Sequence, residues 1–174
     1  MTHHDLGQIS SDGDVSAVRL ERDLDSIPEE VWRALTEPER TREWFARTKI
    51  DPKDGGEVEI DFSDEPEGGI VRGVIRIYDP PHTLEYDWSE EGSNRSIVRF
   101  ELEPSDSGTK LILTHRLLTE EEVPSFAAGW HSHLESLVLL MQGTKPSRDH
   151  FAAMQARYEE LRPIYTDLAK SVRS

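Results

Sequence analysis

Between Ala17 and Leu24 the apolar residues Val18, Leu20 and Leu24 alternate with Arg19, Glu21 and Asp23, the period-two mark of a strand with one buried face. The alternation returns at Val58, Ile60 and Phe62, at Val71, Ile75 and Ile77, and at Leu84, Tyr86 and Trp88. Two more runs follow, Val98, Phe100 and Leu102, then Leu111, Leu113, His115 and Leu117. Turn-forming residues separate them: Asp54-Gly55-Gly56, Gly68-Gly69, Asp79-Pro80-Pro81, Glu91-Gly92-Ser93-Asn94 and Ser107-Gly108. The pattern predicts six antiparallel strands.

Helical spacing fills the rest. Ser26 before Pro28, Glu29 and Glu30 suits a helix N-terminus, with Val31, Trp32 and Leu35 as its buried side. Pro38 starts a second short helix that ends at Trp44 and Phe45. Thr119 with Glu120, Glu121 and Glu122 opens the longest apolar helix, whose stripe is Phe126, Trp130, Leu134, Leu137 and Met141. Gly143 and Pro146 stop it. From Ser147 to about Val172, Phe151, Met154, Tyr158, Leu161, Tyr165 and Leu168 repeat at helical spacing, and Pro163 is expected to end or bend that helix. The domain is predicted over 15–142, after a disordered tail at 1–14 and before an appended helical extension at 143–174.

Six strands with one apolar face, and one long helix to cover it, imply an α+β domain: a curved antiparallel sheet around the helix. A twisted sheet cannot lie flat along a straight helix, so a gap is expected at one end, with the short helices across it. Candidates to line this pocket are Trp44, Phe45, Phe62, Trp88, His115, Trp130 and Leu134, with Tyr86 on the face of Trp88 and His133 bordering the helix stripe. His115 projects among leucines and needs a partner: a backbone group, a water or a ligand oxygen. His131 and His133 are two apart on a helix, point in different directions and cannot chelate a metal together.

Charge and composition narrow the functions. With 35 acidic against 20 basic residues the net charge is −15, which argues against nucleic acid and anionic membranes as partners. There is no cysteine, hence no disulfide, thiolate metal site or cysteine nucleophile. The start lacks a secretory signal and no run approaches the ~18 apolar residues of a span, so a cytoplasmic protein is expected. No nucleophile elbow, Walker loop or dinucleotide fingerprint occurs, and neither cofactor nor metal is expected.

Two blocks carry a resemblance: Val31-Trp32-Arg33-Ala34-Leu35-Thr36 and Gly129-Trp130-His131-Ser132-His133-Leu134, supported by Trp44 and Leu113-Thr114-His115. Over Val15 to Met141 the chain resembles the SRPBCC proteins of the START and birch-pollen-allergen superfamily, in the branch related to the C-terminal domain of the heat-shock protein 90 ATPase activator. The resemblance implies a helix-grip fold with a hydrophobic cavity, in a family that includes lipid carriers, polyketide cyclases and self-sacrificing resistance proteins. Non-catalytic binding of a small hydrophobic or aromatic molecule is the leading expectation. A cyclase- or hydrolase-like enzyme with His115 as acid or base, beside a carboxylate or Tyr86, is the second. A co-chaperone is the third, although the N-terminal domain expected of the true activator does not occur in these residues. A homodimer packed through Tyr158, Leu161 and Tyr165 of the extension is a further expectation.

Overall fold

A computed structural model describes residues 5–65, 68–90, 95–145 and 149–172. The turn at Glu91 to Asn94 and the stop at Pro146 lie outside the described residues, as do His3 and His4. The strands are β1 (Gln8–Asp12), β2 (Val15–Leu24), β3 (Arg47–Ile50), β4 (Glu57–Asp61), β5 (Ile70–Asp79), β6 (Thr83–Trp88), β7 (Ser96–Ser105) and β8 (Gly108–Leu118). They form one antiparallel sheet of eight strands in the order β1-β2-β8-β7-β6-β5-β4-β3, two more than the alternation predicts. The helices are α1 (Pro28–Thr36), α2 (Pro38–Trp44), α3 (Val123–Met141) and α4 (His150–Ser171). This is the helix-grip arrangement, with α3 lying between the sheet and α4.

Both additional strands are edges. β1 reads Gln-Ile-Ser-Ser-Asp with Ile9 alone facing the core, so alternation is absent. It pairs with β2 from Gln8↔Arg19 to Asp12↔Val15 around Gly13, whose φ of +64° suits glycine. The expectation of a disordered tail through Asp14 is therefore corrected for these residues. β3 likewise offers only Thr48 and Ile50 to the inside. Short, polar strands at the two margins limit edge-to-edge pairing.

Bulges redirect side chains that strict alternation misassigns. A register shift between Ile75 and Ile77 sets Ile77 opposite the outward Glu85 and Tyr78 opposite the inward Leu84. Tyr78 then meets Trp32 edge to face at 5.4 Å. Nearby, a side chain on Gly73 would put its first carbon 1.7 Å from the Asp87 carbonyl oxygen, so only glycine fits. At the end of β8, Leu117 takes φ 61° and is exposed, and Leu118 is buried in its place. Outward carboxylates are not all solvated: Glu85 and Asp87 are buried beneath arginines, with Arg116 Nη1 at 2.7 Å from Glu85 and Arg76 Nη1 at 3.5 Å from Asp87.

The helix starts differ in their chemistry. α1 begins after Ile27 with no side-chain cap, and the predicted cap Ser26 instead donates to the Asp25 carbonyl oxygen at 2.7 Å. Ahead of α3 the capping box is reciprocal: Thr119 N–H donates to Glu122 Oε2 at 2.8 Å, and Glu122 N–H to Thr119 Oγ1 at 3.3 Å. α4 runs unbroken through Pro163. Pro163 and Glu159 are both exposed, so the carbonyl that loses its helical partner faces water, while Leu161 and Tyr165 anchor both sides. Leu161 and Tyr165 are fully buried against the protein's own core, which leaves neither available to the expected dimer face, and Tyr158 packs partly buried on its rim.

Candidate functional site

The sheet and α3 part at the N-terminal half of the helix. A cleft of about 460 Å³ opens there, bounded by the end of α2, the β4–β5 loop, the start of β5, the end of β6 and α3 from Ser125 to His133. Its wall is aromatic. Phe45 stacks on Trp130 at 5.0 Å, Phe62 meets Phe45 edge to face at 5.2 Å, and Trp88 lies 5.6 Å from Trp130 and 5.9 Å from Phe126. Rings in contact over this distance hold one another's orientation.

Local backbone chemistry sets the mouth. Phe62 N–H donates to the Gly69 carbonyl at 2.9 Å, and Glu65 N–H to the Phe62 carbonyl at 2.9 Å, which places Phe62 and Glu65 at the opening. A side chain on Gly68 would fall 1.8 Å from the Phe62 carbonyl oxygen, so the tight closure requires glycine. Glu90 also lines the cleft and accepts Trp88 Nε1–H at 3.1 Å. A second cavity of about 580 Å³ adjoins the first, sharing Glu65, Gly129 and His133, and gains Asp64, Phe151, Met154 and Tyr158. Gly129, in mid-helix between the two, has open space where a side chain would begin.

His115 lies behind this wall, fully buried, with Phe126 at 4.6 Å and Trp88 at 5.5 Å. An indole nitrogen only donates, so the 2.9 Å bond from Trp130 Nε1 leaves His115 Nδ1 as an acceptor. Nε2 then carries the proton and donates to Ser96 Oγ at 2.7 Å. Both nitrogens are occupied, and burial pushes the imidazole down to about 3. His115 is a positioning residue that orients Trp130. It lacks the free nitrogen and suitable acidity that the acid–base expectation requires.

His133 is different. Its Nδ1 donates to the Trp44 carbonyl at 3.2 Å, so Nε2 is the acceptor, and it has no hydrogen-bond partner among the described residues. The ring lines both cavities. Burial, against the opposing Trp44 bond, lowers it to about 4 and keeps it neutral.

Of the predicted lining residues, Phe45, Phe62, Trp88, Trp130 and His133 meet at the cleft. Trp44 is buried beside it and donates its indole N–H to the Ala34 carbonyl at 2.8 Å, which ties α2 to α1. Leu134 and Tyr86 are core residues outside the lining, and burial pushes the Tyr86 phenol up. Glu65, Glu90, Ser125, Phe126 and Gly129 were not among the predicted lining residues. Gly129 carried a usable signal: a glycine inside an apolar helix costs about 1 kcal/mol relative to alanine and calls for a packing or functional reason.

On its other side α3 is tied to α4 and the N-terminal segment. Gly7 N–H donates to Tyr165 Oη at 2.7 Å, Tyr165 Oη–H to His131 Nδ1 at 2.7 Å, and His131 Nε2–H to Glu135 Oε1 at 3.1 Å. Arg157 grips the same carboxylate from α4 at 3.0 Å. Burial would raise Glu135, but its bonds to His131 and Arg157 outweigh it and hold the group at about 2. Sequence spacing correctly separates His131 from His133 without showing that His131 is buried.

The same fold occurs in solved proteins. The crystal structure of CalU16 from Micromonospora echinospora is 26% identical, aligns over 91% of this chain and 96% of that one, and superposes with a TM-score of 0.71. The solution structure of CalU16, at 22% identity and a TM-score of 0.73, aligns over 99% of this chain and 100% of that one, taking in α4. Protein MLL2253 from Mesorhizobium loti is 28% identical over 74% of this chain and 98% of that one, with a TM-score of 0.65. A comparison with the curated proteins finds no match. Residues 25–142 match the family described as activator of Hsp90 ATPase homolog 1-like protein, and the chain belongs to that family, within the SRPBCC superfamily.

Proposed function

We propose that this protein binds one small, ring-bearing apolar molecule in the cleft between α3 and the sheet and carries out no chemistry on it. The observation that carries this reading is the continuous aromatic wall of Phe45, Phe62, Trp88, Phe126 and Trp130 around about 460 Å³, within the roughly 300–1,000 Å³ range of small-molecule sites. Burying apolar ligand surface there contributes roughly 25 cal/mol per Å² before the cost of association is subtracted. The cyclase or hydrolase alternative needs His115 as acid or base, and both its nitrogens are engaged by Trp130 and Ser96. The co-chaperone alternative rests on the family match alone.

Fluorescence titration with N-phenyl-1-naphthylamine, an uncharged probe, tests the reading. Saturable binding of one equivalent with enhanced, blue-shifted emission is expected. A flat or non-saturating titration rejects it.

A further inference from the structure

The polar groups of the cleft select the charge of its occupant. Both indole donors of the wall are already used, Trp88 Nε1 by Glu90 at 3.1 Å and Trp130 Nε1 by His115 at 2.9 Å. Ser125 Oγ accepts Arg162 Nε at 3.3 Å, which leaves its hydroxyl as the one side-chain donor among the described residues lining the first cavity. The acceptors are better placed. His133 lines both cavities with Nε2 as its acceptor, and the carboxylates of Glu65 and Glu90, the latter also accepting from Trp88, line the first cavity. Asp64 adds another carboxylate at the second cavity. Neither cavity has a lysine or arginine among its described lining residues.

A cavity of this composition repels anions twice, through its rim carboxylates and through the field of a chain with net charge −15. A fatty acid or an organic phosphate would find no lysine or arginine among the described lining residues to hold it, and Arg162, which bonds Ser125, lies outside that lining. An ammonium group, with three donors and no acceptor, is the complement of two carboxylates and a neutral imidazole nitrogen. The π-faces of Trp88 and Trp130 attract the same charge.

We propose that the ligand is an aromatic amine bound as its cation, with its rings on the Phe45–Phe62–Trp88–Trp130 wall and its ammonium group held at the opening by Glu65, Glu90 and His133 Nε2. This rests on the binding reading above and narrows it to a chemical class. Partial burial raises the Glu65 carboxyl, as befits a group that gains from a cation brought by the ligand.

Calorimetric titration at neutral pH and low salt with three probes of one shape separates the possibilities: 2-(1-naphthyl)ethylamine, 2-(1-naphthyl)ethanol and 1-naphthylacetate. The amine is expected to bind about tenfold tighter than the alcohol, and the acetate more weakly than either, with the amine's advantage shrinking as salt rises. In Glu65→Gln and Glu90→Gln the ratio of amine to alcohol affinity falls toward one. Alcohol or acetate binding at least as tightly as the amine overturns the cation reading and leaves the binding site standing. Failure of all three probes overturns both.

Discussion

A single imidazole determines how the aromatic wall is held. His115 accepts from Trp130 and donates to Ser96, so its tautomer is dictated by a partner that can only donate. The folded state keeps this ring neutral down to about 3, whereas an unfolded histidine takes its proton near 6.5. Below pH 6.5 the unfolded chain therefore binds more protons here than the native one, and stability is lost as the pH falls from 6.5 toward 3. His133, lowered to about 4, adds to the loss with the same sign. Nitrogen-15 NMR of His115 is expected to show a protonated Nε2, a bare Nδ1 and no titration between pH 5 and 8. A midpoint in that window would mean the nitrogens are open to solvent and would reinstate acid–base chemistry.

Among the elements, α4 departs furthest from the part the sequence suggests. An extension beyond the domain proves to be a core helix, with Leu161, Tyr165 and Ala169 buried and Tyr165 joining the N-terminal segment to α3. Tyr165→Phe preserves the ring but strands Gly7 N–H and His131 Nδ1, so a loss of about 1–3 kcal/mol in urea denaturation is expected, and an unchanged midpoint would show the chain of bonds to be incidental. The periodicity of α4 was legible, since Met154, Tyr158, Leu161 and Tyr165 repeat at helical spacing. Its destination was not, because a buried stripe looks the same whether its partner is another copy or the same chain. The central strands were legible for a related reason: burial on one face enforces alternation. β1 and β3 are edge strands with little to bury, and the Ile77 and Leu117 assignments failed where a bulge and a positive φ shift the phase. Five of nine candidate lining residues meet at the cleft, Phe45, Phe62 and Trp88 because they sit at element ends facing it and Trp130 and His133 because they lie on the stretch of α3 that borders it, whereas Trp44, Leu134, Tyr86 and His115 lie deeper or outside the lining. Glu65 was hidden because it belongs to a loop without period.

At the scale of the whole molecule, an eight-stranded sheet packs against α3 and parts from it over the N-terminal half of the helix. None of the described helices is long and apolar enough to cross a membrane, and the space open to an occupant is the aromatic-walled cleft. Gly129 keeps that space open, since a larger side chain at this point would project into it without striking the backbone. Gly129→Leu also improves helix propensity by about 0.8–1 kcal/mol, so the variant is expected to fold and to melt no lower than the parent. The most direct test is the titration of N-phenyl-1-naphthylamine into this variant and the parent side by side. One equivalent bound by the parent and none by a fully folded Gly129→Leu is the predicted result. Equal binding by the two proteins would place the ligand elsewhere and contradict the account.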